Sequence, residues 1–274
     1  MKFRIAAVQF RINRNSIEKN LKKMEGFLKN ASGKADVIVF PECFLTGGLS
    51  MEECLKNADS KGRLRKAFQN LALKYNIDIV AGSIIEEKNQ EFFNACYYVE
   101  SSGKLLGRYK KINLWLSERG KLSPGSQACV FNTKFGRAGL ALCWDLMFPE
   151  LFLKMRKKGV EIVYCPSLWF SGKKFPAHKR HNQNAAYEYV NSLCKARALE
   201  NNFILVYANA VGKVNLSDGS QDECIGRTQI IAPIRMVLGK LGDKEEMLIE
   251  EIDTEILKEA EKAYGLGLNF KDKN

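Results

Sequence analysis

Three polar side chains stand where apolar strands should end. Cys143 closes the run Leu140-Ala141-Leu142 and is followed by Trp144-Asp145. A thiol where a strand turns into a helix gains from the first backbone N–H groups and the helix dipole, which favour the thiolate. The same N–H groups can hold an oxyanion during acyl transfer. The plainer alternative is a buried core cysteine. That alternative suits the others, Cys43, Cys54, Cys96, Cys129, Cys165, Cys194 and Cys224, which are irregularly spaced and form no CxxC pair. Free thiols in a chain of this size predict a reducing cytoplasm rather than a disulfide framework.

A nucleophilic cysteine needs a base. The two histidines, His178 and His181, lie in a polar, basic loop, and no acidic or cysteine residue stands at a convincing distance to complete a metal site with them. A carboxylate is the stronger candidate. Glu42 follows the apolar run Asp36–Phe40 and Pro41, so it loses hydration and its pKa should rise toward the range of a general base. A salt-bridged glutamate at a strand end fits the same spacing. Lys110 and Lys111 close a further strand. Alternation requires one of them to point inward, where an ammonium needs a carboxylate or an oxyanion as partner. Spacing does not say which lysine it is, and two solvated lysines on an edge strand remain open.

The elements that must position these groups read as a mixture. Strands are predicted at Phe3–Phe10, Asp36–Phe40, Ile77–Ile85, Phe92–Glu100, Lys104–Lys111, Cys129–Asn132, Arg137–Leu142, Val160–Cys165, Phe203–Asn209, Ile225–Ile231, Met236–Leu238 and Met247–Ile252. Helices are expected after an N-cap at Asn15 or Ser16, over Gly62–Tyr75, Pro149–Lys158, Ala185–Asn201 and Thr254–Tyr264. Strands alternating with helices in part, with hairpins elsewhere, predict an α/β fold with a mixed sheet or two sheets flanked by helices. Such folds gather their sites at strand ends.

Composition sets outer limits. The chain has 274 residues, 46% of them hydrophobic, enough for a full core, and with no linker or repeat it reads as one domain over residues 1–274. The formal net charge of +12 raises a nucleic-acid partner. The basic residues are scattered in short groups, however, and no nucleic-acid motif accompanies them, so a solvated surface is favoured. No apolar run approaches the roughly 18 residues of a membrane span. Lys2 and Arg4 imitate a signal-peptide start, but Gln9 and Arg11 interrupt the apolar stretch. A cytoplasmic location without membrane contact is the expectation.

In chain order, Phe40-Pro41-Glu42, Tyr109-Lys110-Lys111 and Cys143-Trp144-Asp145-Leu146-Met147-Phe148-Pro149-Glu150 resemble the three signature segments of the nitrilase superfamily, carbon–nitrogen hydrolases with a glutamate–lysine–cysteine triad. Ser117-Glu118 with Ser123-Pro124-Gly125, Cys194–Asn201, Gly226–Pro233 and Glu251–Asp253 extend the likeness to most of the chain. The resemblance implies a four-layer αββα sandwich of two mixed β-sheets with helices outside. It implies Glu42 as general base, Cys143 as nucleophile, and Lys111, rather than Lys110, beside the Trp144 N–H at the oxyanion. Glu118 would be a fourth member that positions substrate or assists proton transfer. No metal or organic cofactor is implied, and a homodimer or larger homo-oligomer is. Trp144-Asp145 after the cysteine is similar to amidase and carbamoylase branches, which predicts a small-molecule amide or N-carbamoyl substrate. A nitrile hydrolase, or a silent binding protein of this fold, is the alternative. Trp169 either borders the pocket or packs in the core. The sequence departs from the family pattern at Asn113, where histidine is usual, and at Arg235, in a turn where glycine is common.

Overall fold

The computed structural model describes residues 1–13, 16–47, 50–173, 175–215 and 221–265. The strands in chain order are β1 (Lys2–Gln9), β2 (Val37–Val39), β3 (Asp78–Val80), β4 (Ile84–Lys88), β5 (Glu91–Val99), β6 (Leu105–Lys110), β7 (Cys129–Thr133), β8 (Gly136–Leu140), β9 (Ile162–Ser167), β10 (Ile204–Asn209), β11 (Val211–Asn215), β12 (Gln221–Ile225), β13 (Gln229–Ala232), β14 (Met236–Lys240) and β15 (Glu246–Asp253). The helices are α1 (Ile17–Ala31), α2 (Met51–Lys56), α3 (Arg63–Tyr75), α4 (Pro149–Lys157), α5 (Pro176–His181), α6 (Ala185–Asn201) and α7 (Glu255–Tyr264).

Two mixed sheets stack face to face. One runs β15-β1-β2-β3-β5-β4, with β6 also on β5; the other runs β14-β13-β10-β9-β8-β7. Their shared layer follows from alternation. Phe3, Ile5 and Ala7 of β1, Val37 and Val39 of β2, and Cys96 and Tyr98 of β5 face the second sheet and join Ala138, Leu140 and Tyr164 in one core. The intervening Ala6, Val8, Ile38, Ala95 and Tyr97 face the other way. There they meet Met24 and Leu28 of α1 and Leu64, Phe68 and Ala72 of α3. Leu151, Phe152 and Met155 of α4 and Val190, Cys194 and Ala198 of α6 cover the outer face of the second sheet. The result is the expected αββα sandwich.

Several boundaries differ from the sequence-based expectation. Ile77–Ile85 is two strands, because Gly82 takes φ +57° and lies against the Pro41 carbonyl, where a Cβ would collide. Ile225–Ile231 is also two, separated by Gly226 and Arg227, both at positive φ. The chain after Cys143 is first a 3-10 turn, Cys143–Met147, and only then α4. Part of the basic loop is helix α5, with Pro176 in its first turn. Helix α2 carried a legible signal: Ser50 and Glu53 form a reciprocal capping box. Ser16 caps α1, its hydroxyl accepting from the Lys19 N–H at 3.3 Å; Asn15 lies outside the described residues, as do Gly48, Lys174 and the chain beyond Gly265.

Candidate active site

Glu42, Lys111, Glu118 and Cys143 come from four different segments and meet in one buried cluster. Glu42 follows β2, Lys111 follows β6, and Cys143 follows β8; each is at most 7% exposed. Lys111 Nζ donates to Glu42 Oε1 at 2.8 Å and to Glu118 Oε2 at 2.8 Å. The second oxygen of Glu42 accepts from the Leu168 N–H at 3.0 Å. The Cys143 thiol is within hydrogen-bonding reach of the Glu42 carboxylate. Lys110 turns outward and sets its ammonium 3.0 Å above the Phe93 ring. The β6 alternation therefore assigns the inward cation to Lys111.

Burial governs the charges. It raises the Glu42 pKa against the opposing pull of Lys111. It would lower that of Lys111, but the Glu42 and Glu118 carboxylates more than offset it and the ammonium is held firmly charged. Burial pushes the Cys143 thiol well up, and the negative Glu42 adds to that rise. The stored thiolate expected from a helix N-terminus is thus absent. A thiol raised in this way favours its neutral form, so an attack by sulfur at this position would need a neighbouring base to take the proton.

The Cys143 backbone is held in the left-handed region, at φ +44°. Such a conformation persists only where neighbours over-determine it. Asp145 supplies much of that restraint. Its fully buried carboxylate accepts from the Leu142 N–H at 2.8 Å, Tyr109 Oη at 2.7 Å, and the Asn113 N–H and Nδ2 at 3.0 and 2.8 Å. It therefore ties the turn at Cys143 to β6 and to the segment after Lys111. Asn113, in place of the family histidine, keeps a donor on this carboxylate. From the far side, Arg197 of α6 donates to the Leu146 carbonyl at 3.0 Å and closes the 3-10 turn. The first N–H groups of that turn, including Trp144, have no acceptor inside it.

Trp144 and Trp169 stand in one aromatic wall, their ring centroids 5.6 Å apart. Sequence reasoning missed the third member, Trp115, whose ring lies 4.3 Å from Trp144 and whose N–H donates to Glu118 at 2.7 Å. The Trp144 indole N–H is buried without a partner among the described residues. Also missed was Asn94, whose amide donates to both Glu42 and Glu118, at 2.9 and 2.7 Å. Its only signal was a polar residue amid the apolar run Phe92–Glu100. His178 packs on Phe175 and Tyr189, and His181 pairs with Arg180. Among the described residues no group of three or more His, Cys, Asp or Glu is placed to hold a metal ion. A surface cavity of about 630 Å³ lies elsewhere, lined by α4 and α7 residues such as Arg156, Leu257 and Lys262.

A strained cysteine beside a buried carboxylate and a buried ammonium is a constellation for acyl transfer, and comparison with known proteins agrees. The family model described as carbon-nitrogen hydrolase matches residues 4–262. The chain belongs to the carbon-nitrogen hydrolase family. This is the nitrilase superfamily that the three segments resemble, in its amidase-like branch, and the protein is a hydrolase of non-peptide carbon–nitrogen bonds. The 2-oxoglutaramate amidase of Bacillus subtilis is 30% identical over 92% of either chain. The omega-amidase of Xenopus tropicalis is 28% identical over 94% of this chain and 91% of its own. In fold, the carbon-nitrogen hydrolase of Helicobacter pylori superposes with a TM-score of 0.88 at 22% identity, covering 100% of this chain and 96% of the other. Nit3 of Saccharomyces cerevisiae superposes with a TM-score of 0.82 at 24% identity, covering 96% and 94%.

Proposed function

We propose that this carbon-nitrogen hydrolase cleaves the terminal amide of a small carboxylic acid through a thioester on Cys143. The observation that carries the reading is the Lys111 ammonium, buried between Glu42 and Glu118 beside Cys143. As Cys143 sulfur bonds to the amide carbon, its proton passes to Glu42 and the carbonyl electron pair moves to oxygen. Lys111 and the Trp144 N–H stabilise that oxyanion. Collapse breaks the carbon–nitrogen bond, and the proton held by Glu42 leaves with the nitrogen as ammonia. Water then adds to the thioester and gives a proton to Glu42. The carbon–sulfur bond breaks, sulfur recovers the proton, and the acid departs. Glu118 accepts three hydrogen bonds, from Lys111, Asn94 and Trp115, so it acts as a fixed counter-charge rather than a mobile base.

The substrate class rests on the relatives named for 2-oxoglutaramate and omega-amide hydrolysis, and on a net charge of +12 that suits an anionic substrate. Trp144, half-buried, offers the substrate its ring rather than its indole N–H, which is closed off from solvent. Trp169 forms part of the adjoining wall. The same reading takes residues 1–274 as one catalytic domain in a cytoplasmic homodimer or larger homo-oligomer. Exposed Tyr189 and Leu199 on α6 supply apolar surface for assembly.

Mass spectrometry of the intact protein with a panel of small ω-amides, N-carbamoyl compounds and nitriles tests the reading. An acyl adduct on Cys143 with ammonia release from the amides is expected, and none on Cys143→Ala. Faster consumption of a nitrile than of its amide would replace the reading with nitrile hydrolysis.

A further inference from the structure

Asn94 lies in the middle of β5, a strand paired on both sides, and its side chain is 1% exposed. Its amide has two N–H bonds, and both are spent on carboxylates: Glu42 Oε1 at 2.9 Å and Glu118 Oε1 at 2.7 Å. An amide oxygen in that position would be repelled by two negative groups, so the nitrogen must face them. The consequence is visible on the other side. Asn94 Oδ1 is buried with no partner among the described residues. A fold rarely leaves a buried acceptor unsatisfied unless the opposite end of the group is needed where it is.

Counting lone pairs shows what that end accomplishes. Each carboxylate oxygen offers about two acceptor sites. Glu42 Oε1 is filled by Lys111 Nζ at 2.8 Å and by Asn94. Among the described residues Glu42 Oε2 accepts from the Leu168 N–H, at 3.0 Å, and keeps a site open toward Cys143. Glu118 Oε2 is filled by Lys111 and the Trp115 N–H, and its Oε1 by Asn94 on one side. The Asn94 backbone carbonyl also accepts from the Lys111 backbone N–H at 2.9 Å, so one residue fixes the main chain at Lys111 and contacts both carboxylates.

We infer that Asn94 is a positioning residue that makes Glu42 Oε2 the single oxygen able to take the proton of Cys143, while holding the Glu118 carboxylate in place against Lys111. The assignment rests on the proposed role of Glu42 as base. Without the amide, Oε1 regains a free site, the carboxyl can rotate or protonate away from the sulfur, and the anionic form loses a donor. The charged and titratable partners of Glu42 are Lys111, Glu118 and Cys143, and the buried thiols of Cys43, Cys96 and Cys165 feel its charge. Burial pushes those three thiols up, so they stay neutral and Asn94 is the uncharged group that tips the balance.

The test compares Asn94→Leu, which keeps the branched shape and removes both donors, with Asn94→Ser, which retains one hydroxyl donor. Circular dichroism establishes folding, and the pH dependence of kcat/KM is measured on an ω-amide turned over by the wild type. Losing donors to the carboxylate raises its pKa, so the acid limb should move up by about one pH unit in Asn94→Leu and by less in Asn94→Ser. The value of kcat should fall by up to about 100-fold with KM little changed. Folded variants with an unmoved acid limb, or two variants that both fail to fold, would overturn the inference. Absence of a Cys143 adduct in the wild type would instead strike at the proposed function.

Discussion

Cys143 and Glu42 share one proton in a space that disfavours charge on either. The base role proposed for Glu42 requires its ionised form, and burial raises its pKa. Activity should therefore fall as pH drops, along a limb centred above the ordinary glutamate range. Glu42→Gln should remove that limb and lower kcat by about 10²- to 10⁴-fold, the span general-base catalysis contributes. A pH–rate profile of wild type and variant reads both effects. Asp145 tests the geometry around the thiol. Replacing it with alanine orphans four donors, from Leu142, Tyr109 and Asn113, and each buried orphan costs about 1–3 kcal/mol. Asp145→Ala should lower the melting temperature, and any folded fraction should alkylate at Cys143 with altered rate. Wild-type rates of melting and alkylation would contradict the tether.

At the scale of elements, strand ends do the positioning. Gly82 interrupts the run between β3 and β4 at a positive φ and lets the chain pass against the Pro41 carbonyl. Ser83 then accepts from the Cys43 N–H at 3.1 Å, which pins the residue after Glu42. Gly82→Ala should cost about 1–3 kcal/mol, the range for backbone strain at such a site. It should also reduce kcat beyond what the unfolded fraction explains, because the collision falls on the residue before the base. Denaturant titration alongside kcat separates the two; a stability loss with kcat unchanged would make Gly82 a folding residue alone.

For the molecule as a whole, charge bears on encounter rather than fold. A net +12 spread over the surface should draw in a carboxylate-bearing amide, and salt should screen that attraction. Raising ionic strength from about 10 to about 500 mM should raise KM for an anionic ω-amide several-fold and leave that of a neutral amide nearly unchanged. Equal responses for the two substrates would remove any role for the net charge. Among the described residues no helix is long and apolar enough to cross a membrane.

The sequence alone determined the apolar faces of strands and helices and marked three strand ends, while the choice of two sheets and of Lys111 came from the family resemblance. Alternation in β1 and β5 and the apolar faces of α1 and α3 are local patterns, set by the two-residue period of a strand and the turn of a helix. Glu42, the Lys110–Lys111 pair and Cys143 stood out because each sits beside an apolar run whose end is marked by proline or by a change of pattern. Only the tertiary structure decided what those groups face. Lys110 and Lys111 are indistinguishable by spacing, and the pairing of β6 with β5 sends one to the Phe93 ring and the other to two carboxylates. Asn94 gave almost no signal, since its partners are 52 and 24 residues away. The balance of effects on the Cys143 thiol is likewise set by the tertiary structure. A helix end nearby favours the thiolate, but burial and the negative Glu42, both products of the folded packing, outweigh it.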